Sequence, residues 1–126
     1  MPTLLVIDDN KSVRDILQMV LVRKGYTVLM AANGADGLAL CADRMVDGVM
    51  VDLNMPGMDG IQVCQALHEQ ANIAGRAISV WLMTGGYTRE AAKLAVQAGA
   101  LSLIRKPFQL DELYRQLEGS NQVLTG

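Results

Sequence analysis

The sequence is poor in several residue types that would mark other classes of protein. Its 126 residues include one histidine, two cysteines and, among aromatic side chains, one tryptophan, three tyrosines and one phenylalanine. Cys41 and Cys64 lie inside apolar helical patterns without a Cys-x-x-Cys or Cys/His spacing. This placement predicts buried, reduced thiols rather than a disulfide or a zinc site.

The chain also lacks a basic excess and long apolar runs. Its formal net charge is -2, and its lysines and arginines are scattered, so we expect no binding of nucleic acid. No apolar run approaches the ~20 residues that a membrane span needs. Because Met1-Pro2-Thr3 leads directly into an apolar strand, with no basic, cleavable leader, we expect a cytoplasmic protein that does not bind membranes.

Length and composition predict one compact domain. Hydrophobic residues make up 51% and charged residues 19% of the 126 positions, which argues against disorder. We expect the domain to occupy residues 1–118. Residues 119–126 are polar and are interpreted as a C-terminal tail or the start of a linker.

Apolar periodicity alternates between strand and helix five times. This alternation predicts an α/β fold in which right-handed βαβ units build a parallel sheet with helices on both faces. The first helix is expected to begin after a cap at Asn10 or Ser12 and to end at Gly25. Unbroken apolar runs predict strands buried on both faces, at 4–7, 49–51, 78–83 and 103–105.

Chemically useful side chains follow these apolar runs. Asp8 and Asp9 follow the first run, Asp52 follows the run at 49–51, and Thr84 and Lys106 follow the last two. The carboxyl ends of parallel strands meet at one edge of the sheet, where open α/β sheets bind ligands. The predicted site therefore contains three acids, one hydroxyl and one lysine.

Three converging carboxylates need a partner of opposite charge. A pair about 4 Å apart repels by ~4 kcal/mol at an effective dielectric of 20, so such a cluster takes up protons or binds a cation. Oxygen ligands with room for water suit Mg²⁺, for which Mn²⁺ can substitute. A metal ion, Lys106 and Thr84 would together bind a phosphoryl group. Asp52 is the best candidate for its nucleophilic acceptor, and Gly85 leaves space for it.

Together these residues resemble the CheY-like receiver domains of two-component response regulators, and the resemblance covers nearly the whole chain. Its marks occur in order: Asp8-Asp9, then Asp52 with Asn54-Met55-Pro56-Gly57-Met58-Asp59-Gly60, then Thr84-Gly85, and finally Lys106-Pro107-Phe108. The resemblance implies a single-domain, doubly wound (βα)5 flavodoxin-like sandwich with a five-stranded parallel sheet of order 2-1-3-4-5.

The resemblance also implies a function. Asp52 would accept a phosphoryl group from the phosphohistidine of a sensor histidine kinase or a histidine phosphotransfer protein, with Mg²⁺ required. Self-phosphorylation from a phosphodonor and slow autodephosphorylation would be its only catalytic activities, so it is not expected to be an enzyme in the usual sense. Its signal would pass to a downstream protein, which the sequence does not identify, by phosphorylation-dependent binding.

Roles for individual residues follow from the same resemblance. Asp9 and Asp52 would bind the metal directly, Asp8 would bind it through water, and the backbone carbonyl of Asn54 would supply another ligand. Lys106 would pair with the phosphoryl oxygens.

Four more positions complete the implied site. Thr84 would donate a hydrogen bond to a phosphoryl oxygen, beside Gly85, and the peptide bond before Pro107 would be cis. In the family an aromatic side chain on the last strand follows the threonine when the domain is phosphorylated. Leu103 stands at that position here, which predicts a weaker or differently routed output.

Two other functions fit parts of the pattern. The first is a receiver-like adaptor that binds partners without phosphorylation, against which the complete acid, threonine and lysine set argues. The second is an aspartyl phosphatase of the haloacid dehalogenase type. That class carries an Asp-x-Asp on its first strand and has a substrate cap domain, whereas Asp8 and Asp9 are adjacent and the chain offers no cap.

Overall fold

A computed structural model describes residues 2–119, and the interpretation of a tail at the C-terminus falls mainly on residues 120–126, outside the described residues. Strands and helices alternate five times, with these bounds: β1 (Thr3–Ile7), α1 (Lys11–Arg23), β2 (Thr27–Ala31), α2 (Gly34–Asp43), β3 (Gly48–Asp52), α3 (Gly60–Ile73), β4 (Ser79–Thr84), α4 (Arg89–Gln97), β5 (Ser102–Arg105) and α5 (Leu110–Gly119). Within this range, no helix is both long enough and apolar enough to cross a bilayer.

The strands form one parallel sheet in the order β2-β1-β3-β4-β5, which confirms the doubly wound fold and its strand order. The register aligns the carboxyl ends of the strands. Ile7 of β1 lies opposite Val51 of β3, and Thr84 of β4 lies opposite Arg105 of β5. Residues that follow these strand ends therefore emerge along one edge of the sheet.

Each face of the sheet carries its own hydrophobic core. Leu5 and Ile7 pack on the face covered by α2, α3 and α4, whereas Leu4 and Val6 pack on the face covered by α1 and α5. Burial on both faces explains why β1, β3 and β4 read as continuous apolar runs rather than alternating ones.

Both cysteine side chains are buried and free. Burial raises the pKa of the Cys41 and Cys64 thiols to about 11, which keeps them protonated at neutral pH. The prediction of buried, reduced thiols is confirmed.

Helix caps fix the loops beside the strand ends. Of the two candidates for the first helix, Asn10 is the N-cap, and its side chain accepts a hydrogen bond from the backbone N–H of Val13. Asp59 caps α3 in a capping box with Gln62. These caps define where the chain leaves the loops after β1 and β3, both of which carry predicted site residues.

The fold leaves no room for a side chain at Gly48, the first residue of β3. A Cβ atom there would lie 2.7 Å from Cζ3 of Trp81 and 2.9 Å from Cδ2 of Leu4. We expect Gly48→Ala to lower the free energy of unfolding by about 1–3 kcal/mol, the usual cost of overpacking. Urea denaturation followed by far-UV circular dichroism measures this change.

Gly85→Ala is the matched control. A Cβ atom at Gly85 would meet no described atom within 4 Å, so its stability should stay within about 0.5 kcal/mol of the native chain. Equal stability of the two variants would show that Trp81 does not press on Gly48 in solution.

Candidate phosphoryl and metal site

Three carboxylates converge at the carboxyl edge of the sheet. One oxygen from each of Asp8, Asp9 and Asp52 lies within 4.8 Å of the other two. Asp8 and Asp9 follow β1 at the turn into α1, and Asp52 is the last residue of β3. Asp8 is 0% and Asp52 6% exposed, whereas Asp9 is exposed. The cluster therefore has two buried acids and one at the surface.

The Asp8 carboxylate is held from two sides. Its Oδ1 accepts a hydrogen bond of 2.9 Å from the backbone N–H of Asn10, and its Oδ2 accepts one of 2.7 Å from Nζ of Lys106. Arg14 donates to the backbone carbonyl of Asp8 at 2.8 Å. These bonds fix the orientation of Asp8.

Lys106 brings the positive charge from the opposite end of the sequence. Its Nζ lies 2.7 Å from Asp8 Oδ2 and 3.2 Å from Asp52 Oδ1, and its side chain is 18% exposed. The residue directly follows β5, and its backbone N–H donates to the carbonyl of Thr84 at 2.8 Å. The Lys106–Pro107 peptide bond is cis.

The charges in the cluster do not balance. Burial, the largest effect, raises the pKa of Asp52 above its ordinary value of 3.8, and repulsion from Asp8 raises it further. Attraction and hydrogen bonding from Lys106, with a hydrogen bond from the Asn54 backbone, oppose this rise only in part. The carboxylates would thus gain from a second cation. Their oxygen-only donor set, without histidine or thiolate, fits a hard ion such as Mg²⁺.

Thr84 ends β4 with a fully buried hydroxyl group. Its Oγ1 accepts hydrogen bonds from the side-chain amide of Asn54, at 3.2 Å, and from the backbone N–H of Gly86, at 3.0 Å. The sequence analysis assigned a role only to the backbone carbonyl of Asn54 and did not predict this side-chain contact. The open space at Gly85 leaves room beside the threonine.

Leu103 is part of the core on the α2, α3 and α4 face and is 8% exposed.

The ring of Tyr87 stacks on the guanidinium of Arg105, with 4.0 Å from Cζ to the ring centroid. The sequence analysis did not predict this contact. The signal in the sequence that could have pointed to Tyr87 was its position three residues after Thr84, in a chain with few aromatic residues.

Comparison with known proteins identifies the class to which this fold and site belong. The sequence profile described as response regulator receiver domain matches residues 4–118. The chain belongs to this family, and it is a receiver domain of two-component phosphorelay systems. The CheY-like resemblance is confirmed, and the comparisons favour neither the adaptor nor the phosphatase.

Curated relatives are longer proteins. The chain is 32% identical over 114 residues to the response regulator MprA of Mycobacterium sp. strain KMS, covering 90% of this chain and 48% of that protein. It is 35% identical over 113 residues to the DNA-binding transcriptional regulator NtrC of Escherichia coli, covering 90% and 23%. It is 30% identical over 113 residues to the sensor histidine kinase AruS of Pseudomonas aeruginosa, covering 90% and 11%. The chain thus spans about half or less of these relatives.

Solved structures match along nearly the whole chain. The chemotaxis protein CheY4 of Vibrio cholerae superposes with a TM-score of 0.88 at 27% identity, covering 96% of this chain and 99% of that one. A response regulator from Burkholderia pseudomallei, solved with a phosphorylated aspartic acid, calcium ion and citrate, gives a TM-score of 0.83 at 25% identity, covering 99% and 72%.

The raised pKa of Asp52 predicts how stability depends on pH. A carboxyl group whose pKa is raised by folding contributes most stability below its unfolded pKa, and this contribution is lost as pH rises through the folded value. We expect Asp52→Asn, which removes the buried charge, to be more stable than the native chain without added metal. The difference should grow from about pH 4 towards pH 7, because the unfolded pKa lies near 3.9.

Thermal unfolding at several pH values in the presence of a chelator measures this difference. Asp43→Asn, at an exposed acid that ends α2, is the control and should show no such trend. A native chain that is more stable than Asp52→Asn at pH 7 would mean that Lys106 compensates the buried charge fully.

Proposed function

We propose that Asp52 is the phosphoacceptor of this receiver domain. The observation that carries the proposal is the position of Lys106, whose ammonium group lies within 3.2 Å of Asp52 Oδ1 while it also contacts Asp8. Asp52 thus has a cation beside one carboxylate oxygen, and the neighbouring strand ends in the buried hydroxyl of Thr84, which is followed by open space at Gly85. These are the requirements for binding a transferred phosphoryl group.

The reaction transfers one phosphoryl group without any oxidation or reduction. A carboxylate oxygen of Asp52 forms a bond to phosphorus, and the bond from phosphorus to the donor's imidazole nitrogen breaks. The imidazole keeps the electron pair of that bond and takes up a proton. The product on this chain is an acyl phosphate. Slow hydrolysis of that acyl phosphate returns Asp52 to its carboxylate form.

Different residues would neutralise or hydrogen-bond the different phosphoryl oxygens. Lys106 neutralises one of them, and the Thr84 hydroxyl, whose lone pairs already accept hydrogen bonds, donates its proton to another. Mg²⁺, when bound, would neutralise the phosphoryl oxygens further, with Mn²⁺ able to substitute. Asp9, Asp52 and the backbone carbonyl of Asn54 would hold the ion directly, and Asp8 would hold it through water.

The donor in this proposal is the phosphohistidine of a sensor histidine kinase or a histidine phosphotransfer protein in the cytoplasm. A sensor histidine kinase and several response regulators contain stretches that match this chain, which supports a place in a phosphorelay. The phosphorylated aspartic acid of the Burkholderia pseudomallei protein supports the acceptor chemistry. The phosphorylated form would then bind a downstream protein.

Incubation with acetyl phosphate and Mg²⁺ tests the acceptor. We expect the intact mass of the native chain to rise by one phosphoryl group, because acetyl phosphate supplies the same group as a phosphohistidine. Asp52→Asn should not be labelled, since an amide oxygen is a poor nucleophile. Intact-protein mass spectrometry at neutral pH measures both.

Asp43→Asn is the matched control and should be labelled like the native chain, since Asp43 lies outside the site. Omission of Mg²⁺, with a chelator present, should abolish labelling within the same time. Labelling of Asp52→Asn would place the acceptor elsewhere, and a native chain that is never labelled would favour the phosphorylation-independent adaptor.

Removal of the exposed acid tests the metal site. Asp9 forms no ion pair among the described residues, so Asp9→Asn should leave the stability of the metal-free chain nearly unchanged. Loss of a direct carboxylate ligand should weaken Mg²⁺ binding by at least about tenfold, the lower range seen for second-shell partners of metal sites. Titration with MgCl₂ followed by Trp81 fluorescence or amide chemical shifts measures the affinity.

Asp43→Asn should again retain the native affinity for Mg²⁺. An Asp9→Asn variant with unchanged affinity would mean that Asp9 does not contact the ion.

A further inference from the structure

The turn between β1 and α1 supplies two of the three acids, and the first of them is bonded at every polar group. The backbone N–H of Asp8 donates to the carbonyl of Ala31 at 3.2 Å. Its carboxylate accepts from the backbone of Asn10 and from Lys106. Its backbone carbonyl accepts from Nη1 of Arg14 at 2.8 Å. Asp8 is therefore held at both its main chain and its side chain.

Arg14 reaches this carbonyl from the N-terminal part of α1. Its own backbone N–H donates to the carbonyl of Asn10, the N-cap residue, at 3.1 Å, which fixes Arg14 relative to the turn. Its half-buried side chain then extends back along the turn to Asp8. A guanidinium group stays protonated in proteins, so this donor is always present. One side chain thus connects the end of β1 with α1.

The carbonyl that Arg14 holds belongs to the peptide unit that joins Asp8 to Asp9. A peptide unit is planar, so the positions of its first Cα, its carbon and its oxygen determine where the following nitrogen and Cα atom lie. In this unit the following atoms are those of Asp9. Arg14 therefore determines, through the Asp8 carbonyl, where the Asp9 side chain leaves the turn.

The Asp9 carboxylate has no comparable support of its own. It is exposed, and within residues 2–119 it takes part in no ion pair. One of its oxygens nevertheless lies within 4.8 Å of oxygens of Asp8 and Asp52, whose charges repel it. Because this repulsion favours orientations towards solvent, the placement of the Asp9 backbone is what keeps its side chain within reach of the other two acids.

We propose that Arg14 is a positioning residue of the metal site, which places Asp9 for the ion by holding the Asp8 carbonyl. This inference rests on the proposed function, because it takes Asp9 as a direct ligand of Mg²⁺. Arg14 itself contacts neither the ion nor the phosphoryl group. Residues that orient metal ligands in this way change metal affinity by about 10- to 100-fold when they are removed.

The charge of Arg14 and its hydrogen bond have opposite effects on metal binding. A guanidinium group near the site repels Mg²⁺, so loss of the charge alone would strengthen binding. Loss of the hydrogen bond would release the peptide unit between Asp8 and Asp9 and weaken binding. The sign of the change in affinity therefore distinguishes a positioning role from an effect of charge.

A neutral side chain of similar size, introduced in the full chain, tests the proposal. We expect Arg14→Met to bind Mg²⁺ about tenfold more weakly than the native chain, in titrations with MgCl₂ followed by amide chemical shifts. The carbonyl ¹³C shift of Asp8 should change in this variant before any metal is added, because the hydrogen bond to that carbonyl is lost.

Labelling by acetyl phosphate gives a second measurement. Arg14→Met should need about tenfold more Mg²⁺ than the native chain to reach half of its maximal rate. The maximal rate itself should stay close to the native value, because the contacts of Lys106 with Asp8 and Asp52 do not involve Arg14. A residue that acted on the phosphoryl group would lower the maximal rate as well.

Arg23→Met is the matched control. Arg23 is exposed in the last turn of the same helix, about 14 Å further along its axis, so the same substitution there should leave the affinity for Mg²⁺ unchanged. Arg14→Lys keeps the charge and a donor, but its side chain is one bond shorter and lacks the planar guanidinium group. Its affinity should lie between those of the native chain and Arg14→Met.

An affinity of Arg14→Met equal to or higher than that of the native chain would overturn the inference. If far-UV circular dichroism shows that Arg14→Met does not fold, Arg14→Lys decides in its place, and native affinity in that variant would overturn the inference. A native chain that binds no Mg²⁺ would instead contradict the metal site of the proposed function. The native chain and the variants therefore separate the two failures.

Discussion

Two buried carboxylates share one ammonium group at the carboxyl edge of the sheet, and the rest of the site depends on this arrangement. Asp8 and Asp52 are nearly inaccessible, and Lys106 contacts both. Loss of the ammonium would leave two buried carboxylates without a cation, and an uncompensated buried charge costs about 3–5 kcal/mol, so Lys106 holds the C-terminal part of the chain against β1 and β3. The same ammonium cannot neutralise both acids and Asp9 as well. The fold therefore keeps an anionic site, and a cation bound there would stabilise the folded state.

The sheet positions these charges because its strands end in register. Asp8, Asp52, Thr84 and Lys106 stand at, or directly after, the carboxyl end of a strand. The strands themselves are held by two separate cores. The backbone hydrogen bond from Lys106 to Thr84 extends the β4–β5 pairing by one step past the end of β5. A change in the pairing of β5 would thus move the lysine away from Asp8 and Asp52. The packing that holds β5 in the sheet thus contributes to the 2.7 Å distance between Lys106 Nζ and Asp8 Oδ2.

The sequence predicted the parts of this site that depend on strand periodicity. The acids, Thr84 and Lys106 follow apolar runs, and a parallel sheet brings such positions to one edge whatever the details of the loops. The same reasoning could offer only two candidates for the first cap, since Asn10 and Ser12 are both able to accept the helix N–H groups. It missed the contacts of the Asn54 amide with Thr84 and of Tyr87 with Arg105. Both depend on loop paths and side-chain rotamers, for which apolar spacing carries no information.

Leu103 packs in the core and is not part of the polar contacts of the site. The acids, Lys106 and Thr84 form their contacts without any help from position 103, since Leu103 lies in the core and makes no polar contact with them. A leucine at this position is therefore compatible with the contacts that the site makes. Among the relatives, similar receiver stretches occur within a sensor kinase and within a DNA-binding regulator. Because the same fold occurs in such different proteins, the arrangement of acids, hydroxyl and lysine does not by itself determine which protein the domain acts on.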